Sequence, residues 1–445
     1  MQGRVSARSA GLLVLAVLTA GTGLFAQRTG YSNEEFSRRR RALMDKVENG
    51  VILLFGESLP QAGTHFRQDN DFFYFTGVED PGAVLLMAPG TRESFLFLPR
   101  QTPREIMIEG PNLLERPGEA PGFAAIHPVD YLDEFLARTL PGRGLALHVR
   151  LSPGDSVDNA RWETGIFAAR ARRCHYNDRL SADQHRVVEL KKLYPMCAFR
   201  DIIPAIDALR LIKTPEEIEI MRRNGRISAE AVRRAMLASR PGAFEYEVEA
   251  AAVHHILRNG CQGLAFTPIV GSGPNSCVWH YSRNGRRMRE GEVVLMDFGG
   301  DLDYTCMDIS RTWPVDGRFT PEQRAAYRTA LTVQKACIEA YRPGVTAEDV
   351  RRHVGRVLER EGIDPRGLTG GIGHYVGMAT HDVGPRGIPL SEGMVFAIEP
   401  GLYYPEQGFG IRIEDTVLIT AEGCEVLTAG VPKEIEEIES LLRSR

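Results

Sequence analysis

Two stretches of this 445-residue chain carry the same punctuation. Thr214-Pro215-Glu216-Glu217 and Thr320-Pro321-Glu322-Gln323 each set a capping hydroxyl, a proline at the first helical position and a Glu or Gln that returns the cap. In the first, Ile218, Met221, Ile227 and Val232 continue the helix as its apolar positions. The predicted helices stop at Arg240-Pro241-Gly242 and Arg342-Pro343-Gly344, an offset of 342 − 240 = 102 residues. The same offset carries Val248 onto Val350 and Gly260 onto Gly362. Each unit therefore reads as a helix, a Pro-Gly break and a second helix. Coincidence among common helix-stop residues is the plain alternative. A duplicated half-domain with pseudo-two-fold symmetry accounts for all the matches together, and it brings strands from both halves to one central cleft.

The strands that would line such a cleft carry acids where strands carry apolar residues. Val293–Gly300 reads as an apolar strand that ends in Asp297 and a turn, and Tyr304–Thr312 contains Asp308, with glycine-rich turn material between. These two runs can pair as a hairpin, which sets Asp297 and Asp308 on neighbouring strands. Val395, Ala397 and Glu399 share one face of a further strand. In Gly410–Ile419, Ile411 and Ile413 face one way and Arg412 and Glu414 the other. Taken singly, each acid has a bland reading: a turn-forming aspartate, or an Arg-Glu pair on a solvated face. The apolar continuation Val417-Leu418-Ile419 argues for a central strand instead, and there a carboxylate must be paired, protonated or bound to metal. Gly371–Gly384 adds His374 and His381, with glycines around His374 that allow close backbone approach. Four carboxylates and one histidine form an oxygen-rich set suited to hard ions such as Mn²⁺ or Mg²⁺.

The first part of the chain differs. Val51–Phe55, Ala83–Met87 and Phe95–Leu98 read as buried strands, and residues 33–47 and 129–139 as helices, an α/β layer. Ser32 and Glu35 form a capping-box pattern, and Arg38–Arg41 then reads as a solvated helix face. A net charge of −4 argues against a broad nucleic-acid footprint. Arg4 and Arg8 precede the apolar run Ala10–Ala20, which is too short to span a membrane and reads as an export signal, with cleavage after Ala26. That makes the expected product exported, periplasmic or secreted, without a stable membrane span. The seven cysteines include no C-x-x-C pair, and most read as small buried hydrophobes.

Together the segments MDFGG (Asp297), MDISRT (Asp308), GHYVGMATHDVG (His374, His381), AIEPGLY (Glu399) and GIRIED (Glu414) resemble the pita-bread metallopeptidases, and within them aminopeptidase P. RLIKTPEEIEIMR resembles the start of that catalytic domain, and Arg67–Gly77 resembles the creatinase-like N-terminal domain. The resemblance implies an α/β (α+β) chain: signal peptide 1–26, N-terminal domain 27–175, linker 176–204 and pita-bread domain 205–445. It implies two divalent ions held by Asp297, Asp308, His374, Glu399 and Glu414, with Asp308 and Glu414 bridging and Arg412 supporting the carboxylates. Glu399 would act as proton acceptor, His280 as the substrate-side histidine, and His381 as the contact to the substrate carbonyl or intermediate. The activity implied is release of the N-terminal residue from peptides with proline in second position, by a homo-oligomer. Prolidase action on Xaa-Pro dipeptides is the alternative. Relatives often carry a histidine where this chain has Gly370.

Overall fold

A computed structural model describes residues 30–58, 65–120, 122–140, 146–174, 176, 180–371 and 373–445. The predicted export signal lies outside the described residues. Among those described, no helix is long and apolar enough to cross a membrane.

The N-terminal domain is built on a mixed six-stranded sheet: β1 Val51–Phe55, β2 Val84–Ala88, β3 Glu93–Leu98, β4 Ala125–Pro128, β5 Ala146–Val149 and β6 Ala198–Asp201, in the order β4-β3-β2-β1-β5-β6. Its central strands are near-continuous apolar runs because both faces are covered. One face meets the Asn33–Met44 helix and the aromatic Asn70–Thr76 helix; Leu132 and Leu136 pack on the other. Residues 176–204, expected as a linker, instead include a helix, Ala182–Leu193, and the edge strand β6, which pairs in parallel with β5. The exposed composition of an edge strand disguised it.

The arginine tract also departs from expectation. Arg38 and Arg41 are solvated, but Arg39 and Arg40 are buried. Arg39 reaches Glu35 and Glu217, while Arg40 donates to the carbonyls of Phe75 and Gly122. Ser32 does cap its helix, accepting from the Glu35 amide, yet Glu35 turns to Arg38 and Arg39 rather than back to the cap.

The C-terminal half repeats itself as the spacing predicts. Helices Pro215–Ala238 and Pro321–Ala340 both open with complete capping boxes. Each is followed by a glycine with positive φ (Gly242 at 88°, Gly344 at 83°) and by a second helix, Glu245–Arg258 or Ala347–Glu361. The Gly242 amide donates to the Met288 carbonyl and the Gly344 amide to that of Leu390, both at 2.9 Å, so even these bonds repeat at the 102-residue offset. Each half then contributes an antiparallel sheet. One runs Ile309–Pro314, Val293–Phe298, Ile269–Ser272; the other His374–Tyr375, Val395–Ile398, Asp415–Ile419, Cys424–Val426.

Two local expectations are refined. The strand bearing Asp297 and the strand that begins just after Asp308 do pair, but a second small hairpin, Gly300–Leu302 with Thr305–Cys306, fills the connection. The predicted Gly410–Ile419 strand is two strands: Phe409–Arg412 pairs with Gly401–Tyr404, and Asp415–Ile419 with Val395–Ile398. The break falls at Ile413 and Glu414, where the Glu414 amide leaves its own sheet to donate to the Ser310 carbonyl at 2.9 Å.

The two domains meet through buried charge. Arg210 donates to Asp71 at 2.8 Å, Asp155 at 2.6 Å and Asp382 at 2.6 Å, and Lys213 reaches Asp382 at 2.9 Å. Burial opposes ionisation of Asp71, but Arg161, Arg210 and Arg150 together hold its carboxyl well below the usual carboxylate range. Truncating Arg210 to Ala leaves three buried carboxylates short of a partner. The expected cost is on the order of 3–5 kcal/mol, seen as a lowered midpoint in denaturant unfolding.

Candidate metal centre

Equivalent positions of the two halves supply the acids. Asp297 is the fifth residue counted from Val293 and Glu399 the fifth from Val395, again 399 − 297 = 102 residues apart. Asp308 and Glu414 each immediately precede the strand that comes third along the chain in their sheet, Ile309–Pro314 and Asp415–Ile419. His374 joins from the second half, its strand paired with Ala397 beside Glu399. Asp308, His374 and Glu414 offer ligand atoms that all lie within 4.8 Å of one another. His374 Nε2 is 3.4 Å from Asp308 Oδ2 and 3.7 Å from Glu399 Oε1. The His374 Nδ1–H donates to the Tyr375 carbonyl at 3.1 Å, which leaves Nε2 bare toward the acids.

One guanidinium serves this cluster. Arg412 donates to Asp297 Oδ2 at 2.6 Å, to Ser310 Oγ at 2.8 Å and to the Tyr403 hydroxyl at 3.1 Å. Ser310 in turn donates to Glu414 Oε2 at 2.7 Å. Arg412 thus pairs with Asp297 and reaches Glu414 only through Ser310. Asp308 is held through its backbone, whose amide donates to Thr416 Oγ1 and whose carbonyl accepts from the same hydroxyl.

The charge is not balanced. Burial, then Asp297 and Glu399, push the Asp308 carboxyl well above the usual range; burial, then Asp308 and Asp297, do the same to Glu414. Asp297 Oδ1 and Asp308 Oδ1 are buried with no hydrogen-bond partner. Orphaned carboxylate oxygens beside a bare imidazole nitrogen are what a divalent cation would satisfy, so these residues fit a metal.

Of the two other candidate histidines, His381 adjoins this cluster. His381 stacks edge-on to His374, ring centroids 4.3 Å apart, and its Nδ1–H donates to Glu163 at 2.9 and 3.0 Å. Burial and the His374 ring push His381 below the ordinary imidazole range, while Glu163 pulls the other way. Both rings open onto a cavity of about 1170 Å³ that also takes in Trp162, Tyr375, Arg386 and Phe396. His280 is exposed in the turn after Cys277, and no described residue hydrogen-bonds to it; its neighbour Trp279 packs on Tyr403 at 5.6 Å. Ser310, Tyr403 and Glu163 escaped sequence reasoning. Ser310 alone had a signal, its place two residues after Asp308 on the same strand face.

The chain is 33% identical over 451 residues to the Xaa-Pro aminopeptidase of Escherichia coli, covering 92% of this chain and 98% of that one. Residues 219–421 match metallopeptidase family M24, and residues 36–147 match the aminopeptidase P N-terminal domain. The chain belongs to metallopeptidase family M24. It is also 32% identical to the mitochondrial intermediate cleaving peptidase 55 of Arabidopsis thaliana, over 93% of this chain and 84% of that one. A zinc-substituted Escherichia coli aminopeptidase P in complex with product superposes with a TM-score of 0.77 at 32% identity, covering 93% and 99% of the two chains.

Within this M24 site, Gly370 has φ 66°, and a β-carbon there would lie 2.5 Å from the Glu399 carbonyl oxygen. Installing histidine at 370 should therefore disturb Glu399 and lower divalent-metal affinity by about 10-fold or more, measured by calorimetric titration. A second expectation concerns pH. With Asp308 and Glu414 raised in the folded state, their contribution to metal-free stability is full below the unfolded carboxylate value of about 4 and is lost as pH rises through the folded values. Metal must displace those protons, so the rise in melting temperature on adding a divalent ion should be larger at higher pH, as differential scanning calorimetry would read.

Proposed function

We propose that this chain is a metal-dependent exopeptidase that releases the N-terminal residue from peptides with proline in second position. The observation that carries this reading is the pair of orphaned buried oxygens on Asp297 and Asp308 beside His374, in a chain similar to Xaa-Pro aminopeptidase along nearly its whole length.

In this reading Asp297, Asp308, His374, Glu399 and Glu414 hold two divalent ions, and the oxygen-rich donor set favours Mn²⁺. Bound divalent cations supply Lewis acidity and make an attacking water more acidic. The remaining chemistry belongs to side chains. Arg412 fixes Asp297 directly and Glu414 through Ser310, so both carboxylates are oriented before anything binds. Glu399, with a side chain 31% exposed, is the acid of the set most open to solvent, which suits it to accept the water's proton. The leaving nitrogen of a bond before proline, like any amide nitrogen, departs as an amine only when protonated, and in this reading Glu399 returns that proton. His381 at the cleft wall and His280 on the loop beside Tyr403 flank the substrate carbonyl oxygen and stabilise charge developing there.

The basic start and short apolar run at residues 4–20 support export, with removal of the first 26 residues; sequencing the N-terminus of the protein purified from its natural compartment tests this. We further read the active form as a homo-oligomer, which light scattering checks.

The activity test is a peptide panel. With Mn²⁺ present, Arg-Pro-Pro should lose its first residue and a chelator should abolish the reaction. Preference for the dipeptide Arg-Pro would instead favour prolidase. Asp308→Ala and Glu414→Ala should each lower kcat/KM by at least about 100-fold; unchanged activity in either would sink the metal assignment.

A further inference from the structure

We infer that Glu163, contributed by the N-terminal domain, is a positioning residue for His381, so that the two domains complete one peptidase site between them. The inference rests on the reading of His381 as a substrate-contacting group.

The geometry is specific. Glu163 lies in the first turn of the Arg161–Ala171 helix, and its side chain is only 16% exposed. Both carboxylate oxygens sit within hydrogen-bond reach of His381 Nδ1, at 3.0 and 2.9 Å. A carboxylate on Nδ1 leaves Nε2 as the ring atom free to act, and the His374 ring fixes the remaining degree of freedom from one face. Glu163 is itself tied down, because Oε2 also accepts the Ala160 amide at 2.8 Å.

The contact belongs to a wider seam. Two consecutive residues of the catalytic half bond directly to one stretch of the N-terminal domain, and the next reaches it through Arg210. The Thr380 amide donates to the Val157 carbonyl at 2.8 Å, His381 bonds Glu163, and Asp382 shares Arg210 with Asp155. The same turn is anchored from the other side, since Arg161 bonds Asp71, Asp155 and Asp207. By contrast, the Arg161–Ala171 helix has no fully buried residue. Its hold on the catalytic half is concentrated where it meets His381, which is an economical arrangement for orienting an imidazole and a poor one for stabilising a helix.

Glu163 also caps its own helix, and the competing account is that it does nothing else. The test separates the two. Steady-state cleavage of Arg-Pro-Pro by the Mn²⁺-loaded full chain is measured for Glu163→Ala, Glu163→Gln, His381→Ala and the double variant Glu163→Ala/His381→Ala. We expect Glu163→Ala to lower kcat about 10-fold or more with little change in KM. Glu163→Gln keeps a carbonyl oxygen that can accept both the Ala160 amide and Nδ1–H, so it should recover most of that loss. In the His381→Ala background, Glu163→Ala should change kcat by less than about twofold, since the group it acts through is gone. An equal loss from Glu163→Ala with and without His381 overturns the inference, as does a kcat unchanged by Glu163→Ala. If His381→Ala alone leaves kcat intact, the reading of His381 falls instead, and that result is read independently of Glu163.

Discussion

Asp297, Asp308 and Glu414 are buried together, and one guanidinium, Arg412, stands among them. Like charges in a space that excludes water cannot all remain ionised without a counterion. Much of the surrounding architecture answers that problem. The strand break at Glu414 aims its carboxylate inward, and Ser310 passes Arg412's influence to an acid it does not touch. The Tyr375 carbonyl turns the bare nitrogen of His374 toward the acids. What Arg412 leaves unbalanced is what a divalent cation supplies. The cluster is therefore costly as a structural element and coherent as a metal site.

The same demand explains how the two domains join. Asp71, Asp155 and Asp382 are neutralised by Arg210, Arg161 and Lys213 rather than by solvent, and this network ends one residue from His381. Lone buried ion pairs add little to stability; a network in which every carboxylate has a cationic partner holds a particular geometry, because each displaced partner strands another. The seam thus sets the position of a catalytic-half loop from the N-terminal side.

Several of these features were legible in the amino-acid order. The Thr-Pro-Glu and Arg-Pro-Gly signals marked helix ends because capping and positive φ are local requirements. Asp297, Asp308 and Glu414 stood out because an acid in an apolar strand contradicts its neighbours. Other features depended on partners far along the chain. Arg39 and Arg40 looked solvated because Glu217 and the carbonyls of Phe75 and Gly122 lie elsewhere in the sequence. Glu163 and His381 are 218 residues apart, and no periodicity connects them. The edge strand β6 was hidden because an edge shows water one side and so resembles a connector. Local chemistry wrote the elements; their pairing needed the third dimension.

The repeated halves have one more consequence. A pair of identical subunits meeting on a two-fold axis must present the same groups at both ends of its cleft. Fusing the halves into one chain lifts that rule. Here the matched positions 297 and 399 hold aspartate and glutamate, one methylene apart, and only the second half carries His374 and His381. The cleft has therefore acquired polarity. A peptide lying across it meets unlike walls, and a chain with distinct amino and carboxyl ends has a reason to enter in one direction.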